Sequence, residues 1–416
     1  MKFLHLADLH FGKMIHGVSM LENGDQAFWV DRFLEVVQEK KPDAIVIAGD
    51  VYDRAFPSGE AVQLLSRFLT TLADMGIPVL VTAGNHDSVQ RLSFANSILA
   101  KQNLYISGPL SGLPELTHVT LHDKYGPVTF WLMPYVFPAL VSQCFDGESI
   151  HDYDEAVRQL LAAQEIDFTK RNVLIAHQNV TANGVEGIRG GSETMVGGVG
   201  QVDYTAFDGF DYVALGHIHA SYAVGRETVR YAGSPLCYHF EETKQRAKGP
   251  LLVTINEKQS APQIETCPIL PLHPMREAKG TYEDLRLAEL QPNAEHRNEY
   301  LRVVITDQFI TPEISNLFHQ AAEARGTVLM ELASEYNRFQ HDATAPELEA
   351  MQSRSVESLF ADFYSERNGG ETLDLHDLDF LTFVGEQVRH TDTHGKIDPQ
   401  LIERLLDYLT KQEGEV

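Results

Sequence analysis

Ten residues able to bind a cation or move a proton fall in five clusters: Asp8 and His10; Asp50 and Asp53; Asn85, His86 and Asp87; His177; His217 and His219. Each follows a run that reads as a β-strand: KFLHL, AIVIA, PVLVT, VLIA and YVALG. Asp8 and His10, like His217 and His219, occupy alternate positions, which on an extended chain puts both side chains on one face. In an open α/β sheet such strand ends converge on one edge, where ligands bind. Each cluster alone has an ordinary explanation. GNHDS at 84–88 fits a turn at Gly84 followed by an Asx or Ser cap on a helix carrying Val89, Leu92 and Phe94. All five together, in this order, are hard to attribute to turns. Oxygen and imidazole donors without thiolate favour Mn²⁺, Mg²⁺, Fe or Zn²⁺. The donors outnumber the needs of one ion, and a carboxylate can bridge two ions about 3.5–4 Å apart. Such a pair polarises a phosphoryl group, lowers the pKa of water and neutralises the charge of an in-line displacement.

The elements that must position these residues alternate. Strands are expected at Lys2–Leu6, Ala44–Ala48 and Pro78–Thr82, with helices over Asp25–Lys40 and Glu60–Met75. The runs Val128–Leu132, Val173–Ala176, Tyr212–Leu215, Thr228–Tyr231 and Leu251–Ile255 predict a second, more antiparallel sheet packed on the first. The proline-rich stretch 263–276 reads as a linker. Beyond it, strands Tyr300–Thr306 and Gly326–Leu332 flank a helix Glu313–Arg325, a small α/β unit. From Ala345 the chain reads as helical and acidic, ending in the amphipathic stretch Pro399–Thr410. The Gly-rich segment 187–200 lacks phosphate-loop spacing and reads as a surface loop. The fold class is therefore α/β, in three parts: 1–265, 276–344 and 345–416.

Composition narrows the function. At 416 residues with 43% hydrophobic content, the chain can bury several cores. Thirty-three basic against fifty-nine acidic residues leave a net charge of −26, so a polyanion would need a local basic surface, a bound cation or a basic partner. Cys144, Cys237 and Cys267 show no zinc spacing and read as reduced thiols of a cytoplasmic protein. No apolar run reaches the length of a membrane span, and MKFLHLADLHFGK is not expected to be a signal peptide.

DLH at 8–10, GDVYD at 49–53, GNHD at 84–87, His177 and GHIH at 216–219 together resemble the calcineurin-like metallophosphoesterases. The resemblance implies two divalent ions, most readily Mn²⁺, with Mg²⁺, Fe or Zn²⁺ as alternatives. Asp8, His10, Asp50 and His219 would hold the first ion; Asp50 would bridge, and Asn85, His177 and His217 would hold the second. His86 would protonate the leaving oxygen rather than bind metal, and Asp53 would orient His86. Asp87 stays open between a supporting role and a helix cap, the cap favoured. GNHDS, DYVALGHIH at 211–219 and YAGSPLCYHFEE at 231–242, followed by Lys248-Gly249, are similar to a narrower family, the nuclease subunits of bacterial SbcCD-type complexes. His239 departs from it, where relatives tend to carry Ser.

That resemblance implies a two-sheet β-sandwich core flanked by helices, then a small α/β capping domain and a helical region gripping the coiled coil of an SbcC-like ABC-type ATPase. SVESLFADFYSERNGG at 355–370 is its most recognisable part there, and Phe360, Phe363, Tyr364, Phe380 and Phe383 suit a partner groove. The implied activity is cleavage of double-stranded DNA ends and hairpins in repair, recombination and replication. A homodimer within a heterotetramer is implied, through helices near Asp53–Met75 and Ser88–Ala100. Two rivals stand beside it: a small-substrate phosphatase or cyclic-nucleotide phosphodiesterase, and a mainly architectural clamp of the ATPase.

Overall fold

A computed structural model describes residues 1–110, 114–145, 150–182, 184, 200–244, 248–290 and 296–336. The expected surface loop (187–199) and the helical partner-binding region, with its motif at 355–370 and its stretch at 399–410, lie outside the described residues.

Two six-stranded sheets form the core. The first contains β1 (Lys2–Leu6), β2 (Ala44–Ala48), β3 (Val79–Thr82) and β4 (Leu104–Ile106), all parallel, with Leu251–Thr254 antiparallel beside β1 and Gln263–Thr266 antiparallel to that strand at the edge. Period-two alternation explains why these strands are apolar throughout. Phe3, Ala44, Val46, Ala48 and Leu80 face the second sheet and meet Phe130, Leu132, Val173, Ile175, Tyr212 and Ala214. Leu4, Leu6, Ile45, Ile47, Val79 and Val81 face outward onto Trp29, Phe33 and Phe68 of helices α1 (Asp25–Lys40) and α2 (Gly59–Asp74). Helix α2 starts where the Ser58 side chain accepts a hydrogen bond from the Ala61 amide. The expected two-sheet sandwich flanked by helices is therefore present.

The second sheet differs from the expectation of an antiparallel one. Gly126–Met133, Arg171–His177, Tyr212–Gly216 and Arg226–Tyr231 run parallel at its centre; only the edge strands Thr117–Asp123 and Ala223–Val224 are antiparallel. Helix Tyr153–Ala162 makes one crossover. The loop bearing His217 and His219 returns through Ala223–Val224, so the next strand re-enters in the original direction. Close spacing predicts antiparallel neighbours; the return strand between Tyr212–Gly216 and Arg226–Tyr231 makes those two parallel.

The stretch expected as a linker carries strand at both ends, Gln263–Thr266 in the first sheet and Met275–Gly280 in a third. That third sheet joins Met275–Gly280, Tyr300–Ile305 and Val328–Ser334 in parallel, with helices Tyr282–Glu289 and Pro312–Glu323. Leu285, Leu301, Val303, Ile305, Ile314 and Phe318 make its own core. The expected helix over Ser88–Ala100 is two short turns, Val89–Leu92 and Asn96–Leu99, broken by Ala95 in the left-handed region at φ 58°.

Candidate metal centre

Strand β1 ends at Leu6, so strand alternation is not what aims Asp8 and His10. Both residues are left-handed, at φ 54° and 44°, as are Asp50 at 49° and His217 at 102°. Such backbone costs about 1–3 kcal/mol per residue and persists only where neighbours over-determine it. Here the Asp8 and His10 amides donate to the carbonyls of Gly49 and Asp50, at 3.0 and 2.9 Å. The His217 amide donates to Asp8 Oδ1 at 3.0 Å, and the His86 amide to Asp50 Oδ1 at 2.9 Å. Buried Gln26, at the start of α1, donates to the His10 carbonyl at 2.7 Å.

Asp87 is not a helix cap. Its carboxylate accepts from the amides of Gly84, Val51 and Tyr52, at 2.9, 3.1 and 2.9 Å, tying the β2 loop to the β3 loop. Two glycines permit closer approach still. A Cβ on Gly84 would lie 2.1 Å from Asp50 Oδ1, and one on Gly216 would lie 1.9 Å from the Ala48 carbonyl.

All seven expected ligands converge. Asp8, His10 and His219 offer donor atoms within 4.8 Å of one another, and so do Asp8, Asp50 and His177. Asn85 Oδ1 lies 3.1 Å from both His177 Nε2 and His217 Nδ1. Asp50 Oδ2 stands between the halves, 3.3 Å from His177 Nε2 and 3.6 Å from His10 Nε2. His217 and His219 do not share one face: His217 joins Asn85, while His219 Nε2 lies 3.2 Å from His10 Nε2.

The donor set fits cations. His177 Nδ1 donates to the Ala48 carbonyl at 2.8 Å, so in the neutral ring its Nε2 lone pair faces the oxygens of Asp50 and Asn85. His219 Nδ1 faces the Glu242 carboxylate at 3.1 Å, so its Nε2 lone pair points at His10 Nε2. The buried His177 lone pair facing acceptor oxygens is repelled, and a cation shared between them would relieve it.

His86 meets Asp53 otherwise than expected. Its Nδ1 donates to the Asp53 main-chain carbonyl at 2.8 Å, while the Asp53 carboxylate takes Lys13 Nζ at 2.8 Å and lies 3.6 Å from His10 Nδ1. His86 also stands with His10 and Asp50 in a third group of convergent donors.

The site agrees with the comparisons to known proteins. Residues 1–221 match the family described as calcineurin-like phosphoesterase. The chain belongs to that family. As a calcineurin-like phosphoesterase it is also 36% identical over 306 residues to the SbcD subunit of the SbcCD nuclease of Staphylococcus saprophyticus subsp. saprophyticus, covering 72% of this chain and 77% of that protein. Residues 271–368 match the family SbcD_C, described as the type 5 capsule protein repressor C-terminal domain. Both resemblances read from the motifs are borne out, and the chain is a homologue of an SbcCD nuclease subunit.

The electrostatics of this phosphoesterase show what the ions replace. Burial, with Asp50 alongside, pushes Asp8 up to about 7. Burial works the same way on Asp50, but His177 and His10 outweigh it and hold Asp50 well below the usual carboxylate range. Burial would lower His177, yet Asp50 and Asp8 lift it to about 9. Burial and the neighbouring His177 bring His217 down to about 3. Near neutrality the metal-free site thus holds protons on His177 and partly on Asp8. Both folded values lie above the ordinary ones, so protons compete with metal until the pH rises past about 9. Mn²⁺ affinity is expected to climb from pH 6 to 9, each uptake releasing protons. Calorimetry in buffers of different ionisation enthalpy measures the release; a buffer-independent heat would contradict it.

Motif reading assigned no part to Gln26, Glu242, Ser234 or Lys248. Glu242 sat inside a quoted motif, but only burial beside His219 separates it from exposed Glu241.

Proposed function

We propose that the chain is the nuclease subunit of an SbcCD-type complex, a metal-dependent phosphodiesterase acting on double-stranded DNA ends and hairpins with an SbcC-like ABC-type ATPase. The observation that carries this reading is the pair of donor groups Asp8, His10, His219 and Asp8, Asp50, His177, overlapping at Asp8, in a chain related to a nuclease subunit. Asp8, His10, Asp50 and His219 hold the first ion, and Asp50, Asn85, His177 and His217 the second. Two bound ions, Mn²⁺ by preference, supply charge for an attacking water and the phosphoryl oxygens. His86, tied by Nδ1 to the Asp53 carbonyl, gives a proton to the leaving oxygen.

The net charge of −26 supports a basic partner that shares the work of holding DNA. Phe56, Phe94 and Ile98, exposed by 75%, 79% and 65%, support self-association through the segments near α2 and 88–100. Among the described residues no helix is long and apolar enough to cross a membrane.

The test is cleavage of hairpin and linear DNA with Mn²⁺, with and without the ATPase, on protein whose mass is measured by light scattering. Cleavage by a dimer, enhanced by the ATPase, is expected. Faster hydrolysis of small phosphomonoesters than of any DNA would favour a phosphatase instead.

A further inference from the structure

Every histidine facing the ions needs its second ring nitrogen accounted for, because that nitrogen decides which one carries the proton. The Ala48 carbonyl settles this for His177. Around His10 Nδ1 no partner lies within hydrogen-bond distance among the described residues. Among the described histidines facing the ions, the second nitrogen of His219 alone lies within hydrogen-bond distance of a buried carboxylate, Glu242, whose side chain is fully enclosed.

The geometry around Glu242 is saturated. The short turn Phe240–Lys244 is anchored by buried Phe240 and brings Glu242 beneath His219. Glu242 Oε1 takes His219 Nδ1 at 3.1 Å, and Oε2 takes Lys248 Nζ at 2.7 Å, with Ser234 Oγ 3.1 Å away. The Lys248 ammonium spends its other protons on the His219 carbonyl at 2.9 Å and on Ser234 Oγ at 2.7 Å. Lys248 therefore grips the His219 backbone while Glu242 grips its ring. A carboxylate only accepts, so Nδ1 bears the hydrogen and Nε2 keeps its lone pair.

We propose that Glu242 is the positioning residue of the first metal position: it locks His219 in the tautomer whose Nε2 lone pair points into the centre, and Lys248 keeps Glu242 committed to that task. The role rests on His219 being a ligand. It makes one half of the centre dependent on a side-chain carboxylate and the other on a main-chain carbonyl.

The test titrates full-length protein with Mn²⁺ alone, by calorimetry and electron paramagnetic resonance. In Glu242→Gln the single amide oxygen goes to the charged ammonium, so the amide NH₂ faces His219 Nδ1 and drives the proton onto Nε2. One of two Mn²⁺ sites is expected to weaken about 10- to 100-fold while the other is unchanged. Adding Lys248→Met frees the amide oxygen to accept from Nδ1 and should restore most of the loss; a structural role alone would make the double variant worse. In metal-free wild-type protein labelled with ¹⁵N-histidine, the His219 signals should show the proton on Nδ1, a readout that needs no variant. A proton on Nε2, or two unchanged Mn²⁺ sites in Glu242→Gln, overturns the proposal alone. Wild-type protein that binds no Mn²⁺ overturns the ligand assignment beneath it as well.

Discussion

Asp50→Asn is expected to leave a folded protein that retains at most one ion and has lost about 10³-fold or more of its phosphodiesterase rate. Asp50 Oδ2 lies within reach of histidines from both halves, at 3.3 Å from His177 and 3.6 Å from His10. An asparagine keeps Oδ1 to accept from the His86 amide, so the loop between β2 and α2 holds its shape. Its NH₂ group, however, replaces an anionic oxygen by a donor aimed at the His177 Nε2 lone pair, where a cation would otherwise be held. Bound ions lower the barrier by several kcal/mol, and about 4 kcal/mol corresponds to about 10³-fold. Elemental analysis after desalting, alongside circular dichroism, checks the result. Two ions held at wild-type affinity would remove Asp50 from the bridging position.

The second large effect separates chemistry from occupancy. His86→Gln should keep both ions and yet slow cleavage of DNA by about 10²–10⁴-fold, the usual worth of a positioned proton donor. With Nδ1 bound to the Asp53 carbonyl, the other ring nitrogen is the one left for the leaving oxygen. A substrate with an acidic phenol leaving group needs little protonation and should be affected far less. The contest is real, because His86 also groups with His10 and Asp50 within 4.8 Å. Loss of an ion from the variant would make His86 a ligand instead of the acid.

Much of the centre was legible as pattern. Five strand-like runs, each followed by oxygen or imidazole donors, announced a convergent site, and all seven expected ligands meet there. The local physics that aims individual residues was less legible. Spacing predicts strand alternation for Asp8 and His10, but left-handed backbone aims both, held by carbonyls of the neighbouring loop. Asp87 looked like a cap; it instead gathers three amides from two loops. Asp53 was expected to reach His86 by its carboxylate and does so by its backbone. In the second sheet, strands close in the chain lie parallel because a short return strand intervenes.

The amino-acid sequence by itself determined the chemistry on offer: which donors exist, that none is a thiolate, and that buried strands deliver them in a fixed order. Only the tertiary structure decided how those donors are divided and which nitrogen of each ring faces inward. The reason is range. Strand periodicity and turn preference are local, written within a few residues of each position. The tautomer of His177 depends on a carbonyl at position 48, and that of His219 on a carboxylate in another turn of chain. Such partners are chosen by packing, which no local spacing records.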